Sequence, residues 1–319
     1  MQPTTSRRTF VKTTLAAAAV AAAPQALAFA AAEPKRKFTM DLNPGGIGVR
    51  LPLPELLPLA AKYGYESVAP NPAFLEKLSE TAMSELLGQL KQLNLVWGAA
   101  GLPVDFRKDD ETFAKAIKGL PAAAAALQRA GGTRVSTWIL PSHDTLTYVQ
   151  NLRQHGARLR EAAKVLADHG QRLGLEYVGP KQMLLRGRFS FVRTLAEMRD
   201  LLNEIGQPNV GVVLDSWHHW HAEENQEDLL TLKNEEVVAC DLNDAPAGTP
   251  REQLPDSPRE LPAATGVLDL KAFLTGLVKI GYDGPVRAEP FYPPLKTMSA
   301  EEAIATTAAA MKKAFALIE

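Results

Sequence analysis

The chain has 319 residues, a length that suits one large α/β barrel or two smaller domains, and a formal net charge of −1. This near-neutral balance excludes the basic footprint typical of nucleic-acid-binding domains, so we expect no nucleic-acid partner. A single cysteine, Cys240, excludes an internal disulfide framework and a cysteine-rich zinc site.

Residues 1–30 have the composition of an export signal. Arg7 and Arg8 precede an alanine-rich apolar stretch that ends in small residues suited to cleavage. With Phe10 and Lys12, the paired arginines resemble the twin-arginine signal of bacteria. This resemblance implies export in folded form by the twin-arginine machinery, and a periplasmic or otherwise exported protein.

No segment after the signal reaches the roughly 18 consecutive apolar residues that a membrane span requires. We therefore expect no stable membrane insertion after signal cleavage, and a single domain over residues 37–319. The sequence leaves the oligomeric state open, a homo-oligomer included.

From residue 37 onward, short apolar runs alternate with amphipathic stretches of helical length. The predicted strands are residues 37–42, 64–70, 95–103, 133–141, 175–180, 210–218, 236–244 and 285–291. The helical patterns that follow them are residues 53–64, 74–94, 111–131, 152–174, 191–206, 227–234, 268–281 and 300–319. Eight such alternations predict a parallel α/β sheet closed into a single-domain (β/α)8 TIM barrel. An open doubly wound sheet would require a glycine-rich phosphate turn, and residues 43–48 lack its G-x-G-x-x-G spacing.

Four consecutive predicted strands carry an acidic residue at the end where a barrel of this kind places its chemistry. These residues are Glu176, Asp215, Asp241 and Glu289. Each follows an apolar run, where an unpaired charge is costly, and four carboxylates in one barrel mouth repel each other unless a cation lies between them. Oxygen-rich ligation favours Mn²⁺ or Mg²⁺ over zinc.

The segment 210–221, VGVVLDSWHHWH, concentrates three of the six histidines of the chain. Taken alone, it is compatible with a histidine metal cluster, an aromatic platform for a sugar, or the exposed end of a strand.

The motifs LEYVGP, LDSWH, CDLNDAP, RELPAATGVLDL and GYDGPVRAEPF resemble the sugar phosphate isomerase/epimerase family of xylose-isomerase-like barrels. The resemblance covers most of the chain after the signal and implies a TIM barrel, a divalent metal and a small carbohydrate substrate. It also implies that Glu176 and Glu289 bind the metal and act as an acid/base pair. Asp215 is then a metal ligand, His218 contacts substrate oxygens, and His219 and His221 take loop or helix-cap roles.

The chain departs from the family pattern at two places. The fourth ligand of the family is usually His, sometimes Gln, three residues before an Asp; here Asp241 takes that place and Asp244 follows. Asp241 is the predicted fourth ligand, bound directly or through water.

The family often has a Pro-Gly-acid-Gly turn after an arginine, whereas residues 262–266 read PAATG after Arg259. Arg259 is predicted to grip a substrate hydroxyl, carboxylate or phosphate, the alternative being an exposed loop arginine.

Roles are also predicted for one arginine, one aspartate and the tryptophans. Arg287 lies two residues before Glu289, so strand alternation places both on the inward face, and we expect an ion pair beneath the carboxylates. Asp269 is expected to cap the next helix. We expect one tryptophan to contact substrate, with Trp217 as the candidate; the others are Trp97, Trp138 and Trp220.

These features predict a metal-dependent sugar isomerase or epimerase that removes a proton next to a carbonyl and passes through an enediolate. Mn²⁺ is the preferred metal, with Mg²⁺ or Co²⁺ as alternatives. Two other functions fit the same barrel: a lyase or dehydratase acting on keto-sugars or 3-keto-glycosides, and a non-catalytic carbohydrate-binding barrel. DNA-repair enzymes of the endonuclease IV type need several more histidines, and the charge and the export signal also argue against them.

Overall fold

The computed structural model describes residues 35–319, which form one compact unit. The predicted export signal, residues 1–30, lies outside the described residues. Within the described part, no helix combines the length and the apolar character needed to cross a membrane.

The described residues contain eleven strands and eleven α-helices. The strands are β1 (Thr39–Leu42), β2 (Ser67–Val68), β3 (Val96–Trp97), β4 (Ala100–Gly101), β5 (Arg134–Ile139), β6 (Ser142–His143), β7 (Arg172–Tyr177), β8 (Phe189–Ser190), β9 (Val210–Asp215), β10 (Val237–Leu242) and β11 (Pro285–Ala288). The helices are α1 (Leu53–Tyr63), α2 (Pro72–Leu75), α3 (Glu80–Gln92), α4 (Asp110–Ala130), α5 (Tyr148–Asp168), α6 (Lys181–Leu184), α7 (Leu195–Ile205), α8 (Ser216–His221), α9 (Gln226–Leu229), α10 (Leu270–Lys279) and α11 (Ala300–Phe315).

Nine of the strands form one parallel sheet in the order β3-β2-β1-β11-β10-β9-β7-β5-β4. The two strands at its ends, β3 and β4, are successive pieces of the predicted third strand, separated by Gly98 and Ala99. One piece pairs with β2 and the other with β5, so the sheet closes on itself through a split strand. The predicted TIM barrel is confirmed.

Two predicted elements differ from the observed ones because of helix caps. The predicted strand 210–218 ends at Asp215, whose side chain accepts a hydrogen bond from Trp217 N (2.6 Å) and so begins α8. The predicted helix 74–94 is divided, since Ser79 caps the start of α3 by accepting from Ala82 N. The predicted cap at Asp269 is confirmed: its side chain accepts from Ala272 N at 2.9 Å.

The register of the sheet places charged side chains at one level of the barrel interior. Asp41 on β1 lies opposite Arg287 on β11, which lies opposite Asp241 on β10, which in turn lies opposite Asp215 on β9. Partners in register on neighbouring strands point to the same side of a sheet. One arginine and three acids therefore share the inward face of four adjacent strands.

Gly211 in β9 lies where the barrel strands are closely packed. A β-carbon there would overlap the carbonyl oxygen of Glu236, and the strand is held on its other side by the pairing of Gly211 with Gly174. We expect Gly211→Ala to lower the free energy of unfolding by about 1–3 kcal/mol. The matched control is Gly88→Ala in α3, where a β-carbon meets no atom within 4 Å; we expect it to raise stability by up to about 1 kcal/mol. Urea unfolding followed by circular dichroism measures both, and equal stabilities would contradict the expectation.

Candidate active site

The four predicted acids meet at the carboxyl end of the barrel. Glu176, Asp215 and Asp241 lie in the final residues of β7, β9 and β10, and Glu289 directly follows β11. Asp215 and Asp241 are fully buried, whereas the Glu289 side chain is 21% exposed. The mouth of the barrel is therefore lined by carboxylates, as predicted, with Glu289 the most accessible to solvent.

The two carboxylate oxygens of Asp215 have different hydrogen-bond partners. Its Oδ1 accepts from Trp217 N (2.6 Å) and from the Nδ2 of Asn243 (2.9 Å), which fixes the start of α8. Its Oδ2 accepts from Arg259 Nη1 at 2.8 Å. The second oxygen is thus the one directed at the mouth.

Arg259 is 1% exposed, so the alternative of an exposed loop arginine is wrong. Its Nη1 lies 3.4 Å from Glu289 Oε2, and its Nη2 donates to Asp256 Oδ1 at 3.1 Å. Burial opposes the charge of Arg259, but Asp215, Glu289 and Asp256 outweigh it and raise its pKa above the usual value. This guanidinium is a permanent cation between the carboxylates of two strands.

Arg287 forms the predicted ion pair beneath the carboxylates, which is confirmed. Its Nε and Nη2 donate to the two oxygens of Asp241 at 2.7 and 2.9 Å. Burial raises the pKa of Asp241 and the guanidinium opposes that shift; because Arg287 keeps its charge, we assign an ionised carboxylate to its partner. Asp241, predicted as the fourth metal ligand, therefore has each oxygen engaged by an arginine.

Glu176 has a buried oxygen, Oε1, without a hydrogen-bond partner. Burial, followed by the negative charges of Glu289 and Asp215, raises the pKa of Glu176 well above its usual range. Glu176, Asp215 and His218 each offer one potential ligand atom within 4.8 Å of the others. An orphaned carboxylate oxygen beside a second carboxylate fits a divalent cation, because the ion would supply the missing partner.

His218 is buried, and its ring has a defined orientation. The backbone N–H of Gly179 lies 3.2 Å from Nδ1, and Arg259 Nη2 lies 3.3 Å from Nε2; because both groups can only donate, the two contacts favour opposite tautomers of the neutral ring. Burial and the charge of Arg259 lower the pKa of His218 well below its usual value, which keeps the ring neutral. The Nε2 atom lies 3.9 Å from Asp215 Oδ2. His218 therefore lies beside Asp215 and Arg259, in the group of side chains that offers ligand atoms at the barrel mouth.

Burial, followed by the negative charge of Asp241, raises the pKa of Glu289 to about 8. Glu176 and Glu289 thus share an unusual property, since both hold a proton more tightly than an exposed carboxyl group. Carboxyl groups with pKa values shifted toward the working pH are suited to general acid–base catalysis.

The aromatic residues correct one prediction. Trp217 is 0% exposed and packs against Trp220 and His221, so it has no free face for a substrate. Trp138, by contrast, is 43% exposed and lies in register with Glu176, with the Arg107 guanidinium 4.2 Å above its ring. Trp138 is therefore the tryptophan that reaches the mouth.

His219 and His221, the two histidines that follow His218 in α8, have different contacts. His219 Nδ1 lies 3.1 Å from Glu224 Oε2, and His221 packs against the ring of Trp217. Both are buried residues of α8, whose caps are Asp215 and Ala222, so the loop or helix-cap roles expected of them are wrong.

Two acids of the barrel mouth were not predicted to have a role. Asp41 is buried on β1 with neither oxygen hydrogen-bonded, and burial raises its pKa to about 6. Its place inside KFTMDL, an inward position of a short strand, was the available signal.

Asp244 fixes the loop that carries Arg259. Its carboxylate accepts four backbone N–H groups, at distances of 2.7–3.1 Å, from Ala245, Thr265, Gly266 and Leu268. Its backbone also exchanges two hydrogen bonds with Glu260. This contact depends on the folded loop, and spacing along the sequence gives no signal for it.

Fold and site together define a TIM barrel with a carboxylate-lined mouth suited to a divalent cation. The family model of the xylose isomerase-like TIM barrel matches residues 57–314, and the chain belongs to this family. Inosose isomerase of Bacillus velezensis is 31% identical over 148 residues, 46% of this chain and 50% of that protein. The chain thus spans about half the length of the curated relatives that it matches.

Solved structures show the same fold. A xylose isomerase domain protein from Alicyclobacillus acidocaldarius is 31% identical, with a TM-score of 0.76 over 88% of this chain and 99% of that one. The IOLI protein, solved with a bound zinc atom, is 23% identical, with a TM-score of 0.72 over 88% and 98% of the two chains. The second likeness is one of fold alone.

The raised pKa of Glu289 predicts how stability depends on pH in the metal-free protein. Between its usual value of 4.5 and about 8, the folded chain holds a proton that the unfolded chain releases. The free energy of unfolding should therefore fall as pH rises through this window, by at most about 1.4 kcal/mol per pH unit for one proton. Urea unfolding at several pH values in the presence of EDTA measures the slope. Glu289→Gln should make the slope shallower, and an unchanged slope would contradict the assignment.

Proposed function

We propose that this protein is a divalent-metal-dependent isomerase or epimerase of keto-sugars or inososes. The observation that carries the proposal is the pair of glutamates at the mouth of a xylose isomerase-like barrel, Glu176, which is buried, and Glu289, which is partly exposed. Burial and neighbouring negative charge raise both pKa values, which prepares the two groups to exchange protons with carbon near neutral pH. The similarity to inosose isomerases supports the substrate class.

The two glutamates divide the proton transfers between them. One carboxylate removes the proton from the carbon next to the substrate carbonyl, which leaves an enediolate. The other returns a proton to the neighbouring carbon, which isomerises the sugar, or to the opposite face of the same carbon, which epimerises it. Glu176 and Glu289 belong to strands β7 and β11, which β9 and β10 separate in the curved sheet. This separation suits two groups that work on different sides of a substrate between them.

Glu176, Asp215 and Glu289 would hold the metal, for which we propose Mn²⁺, with Mg²⁺ or Co²⁺ as alternatives. When bound, a divalent cation supplies Lewis-acid polarisation of the substrate carbonyl. The candidate oxygens for it on the neighbouring strands β7 and β9 are the unpartnered Oε1 of Glu176 and the mouth-facing Oδ2 of Asp215, which also accepts from Arg259 Nη1.

His218 and Arg259 would orient the substrate. The ring of His218, which lies beside Asp215 at the mouth, would contact a substrate oxygen. Arg259 presents a buried guanidinium whose Nη2 lies 3.3 Å from His218 Nε2, so the two side chains meet one region of the mouth. A guanidinium and an imidazole side by side are suited to neighbouring oxygens of a carbohydrate.

Solvent-deuterium exchange tests the proposal. The protein, supplied with Mn²⁺ in D₂O, is incubated with a panel of ketoses, inososes and 3-keto-glycosides and followed by NMR. We expect deuterium to enter at a carbon next to the carbonyl of at least one substrate, and EDTA to abolish the exchange. Glu176→Gln and Glu289→Gln should each lower its rate by at least about 100-fold.

The matched control is Glu223→Gln, an exposed glutamate paired with Lys181, which should leave the rate unchanged. Full activity in both site variants would refute the mechanism. Loss of a hydroxyl or glycosyl group in the same assay would identify a lyase, and sugar binding without exchange would identify a binding protein.

We also propose that the barrel is exported by the twin-arginine pathway, on the basis of Arg7 and Arg8. Replacing both by lysine should retain the protein in the cytoplasm of a bacterium that has this pathway, as measured by cell fractionation. The control Lys35→Arg with Lys37→Arg changes basic residues outside the signal and should be exported normally. Equal export of both variants would refute the assignment.

A further inference from the structure

The Asp241–Arg287 ion pair occupies the place where the family resemblance implies a metal ligand. Both carboxylate oxygens of Asp241 receive a guanidinium N–H, at 2.7 and 2.9 Å, and the carboxylate is fully buried. Such a two-point pair fixes the plane and direction of the carboxylate. Asp241, like Glu289, is outside the group of nearby ligand atoms formed by Glu176, Asp215 and His218.

Arg287 has two acids beside it in the strand register. It lies between Asp241 and Asp41 in the strand register, and its Nη1 donates to Ser136 Oγ at 3.4 Å. Asp41 has no hydrogen-bond partner of its own. If Asp241 bound a metal instead, Arg287 would lose this ion pair and remain buried. Its only neighbouring acid in register would then be Asp41, to which it makes no hydrogen bond. An uncompensated buried charge is strongly unfavourable.

The charges of the mouth agree with this arrangement. Glu176, Asp215, Asp241 and Glu289 are opposed by the guanidinium groups of Arg259 and Arg287. With all four acids ionised, and with Asp256 also paired to Arg259, the mouth carries an excess of negative charge that a divalent cation would reduce. Since Asp241 and Arg287 neutralise each other, the uncompensated charge lies on the other three acids.

We propose that Asp241 and Arg287 form an internal ion pair that replaces the fourth metal ligand, so that the metal is held by Glu176, Asp215 and Glu289 without Asp241. This inference rests on the metal dependence of the proposed function. Asp241 then acts as a positioning residue, which keeps Arg287 in place beneath the metal-binding carboxylates.

Binding of Mn²⁺ alone, without substrate, tests the inference. The loss of the free Mn²⁺ signal in electron paramagnetic resonance gives the dissociation constant. The double variant Asp241→Asn/Arg287→Gln removes the pair and conserves net charge, so its affinity should stay within about tenfold of that of the unaltered chain. Asp215→Asn should weaken binding by more than about 100-fold. Asp269→Asn, which alters an exposed helix cap, is the matched control and should change nothing.

The outcomes separate the two proposals. If the unaltered chain binds Mn²⁺ and the double variant loses as much affinity as Asp215→Asn, Asp241 is a ligand and the inference is wrong. If the unaltered chain binds no divalent metal, the metal dependence fails, and this inference with it. A crystal structure of the unaltered protein with Mn²⁺ gives the same answer without a variant: Asp241 should keep both hydrogen bonds to Arg287 and make none to the metal.

Discussion

The barrel mouth depends on the guanidinium group of Arg259, a buried cation that three acids surround. It bridges Asp215 at the end of β9 and Glu289 after β11, and it binds Asp256 in its own loop. Removal of one partner from a buried ion pair typically costs about 3–5 kcal/mol, because the other charge is left uncompensated. Arg259 thus couples the ends of two strands to its loop and balances part of the negative charge of the mouth.

Asp215 shows that structural and functional roles need not be alternatives. One oxygen caps α8, as acids after strands commonly do, and the other faces the mouth. Because the cap fixes the carboxylate plane, the direction of the second oxygen follows from the backbone of the helix. The position of His218 in the first turn of α8 follows from the same contact.

The sequence predicted what depends on periodicity and motif: the eight-fold alternation, the four acids at the strand ends, and Arg287 on the inward face beside Glu289. It did not predict the division of the third strand at Gly98, where the Asp41 carboxylate lies against the glycine and leaves no room for a β-carbon. It placed Trp217 at the substrate, whereas the cap at Asp215 turns that ring into the core. Asp244 gave no signal, since its four hydrogen bonds exist only once the loop has closed. The local sequence pattern predicted where these side chains lie, and contacts between residues distant in sequence decided which partners they have.

The Asp244 carboxylate also divides its loop into a fixed and a variable part. Residues 259–268 are tied to the barrel by the hydrogen bonds of Asp244 and Arg259, whereas residues 247–250 are exposed on the surface. Insertions or deletions in this outer stretch would leave the guanidinium where it is, because its anchors lie on either side of them. The length of the exposed rim is therefore structurally independent of the charged floor of the mouth, which the contacts of Asp244 and Arg259 hold in place.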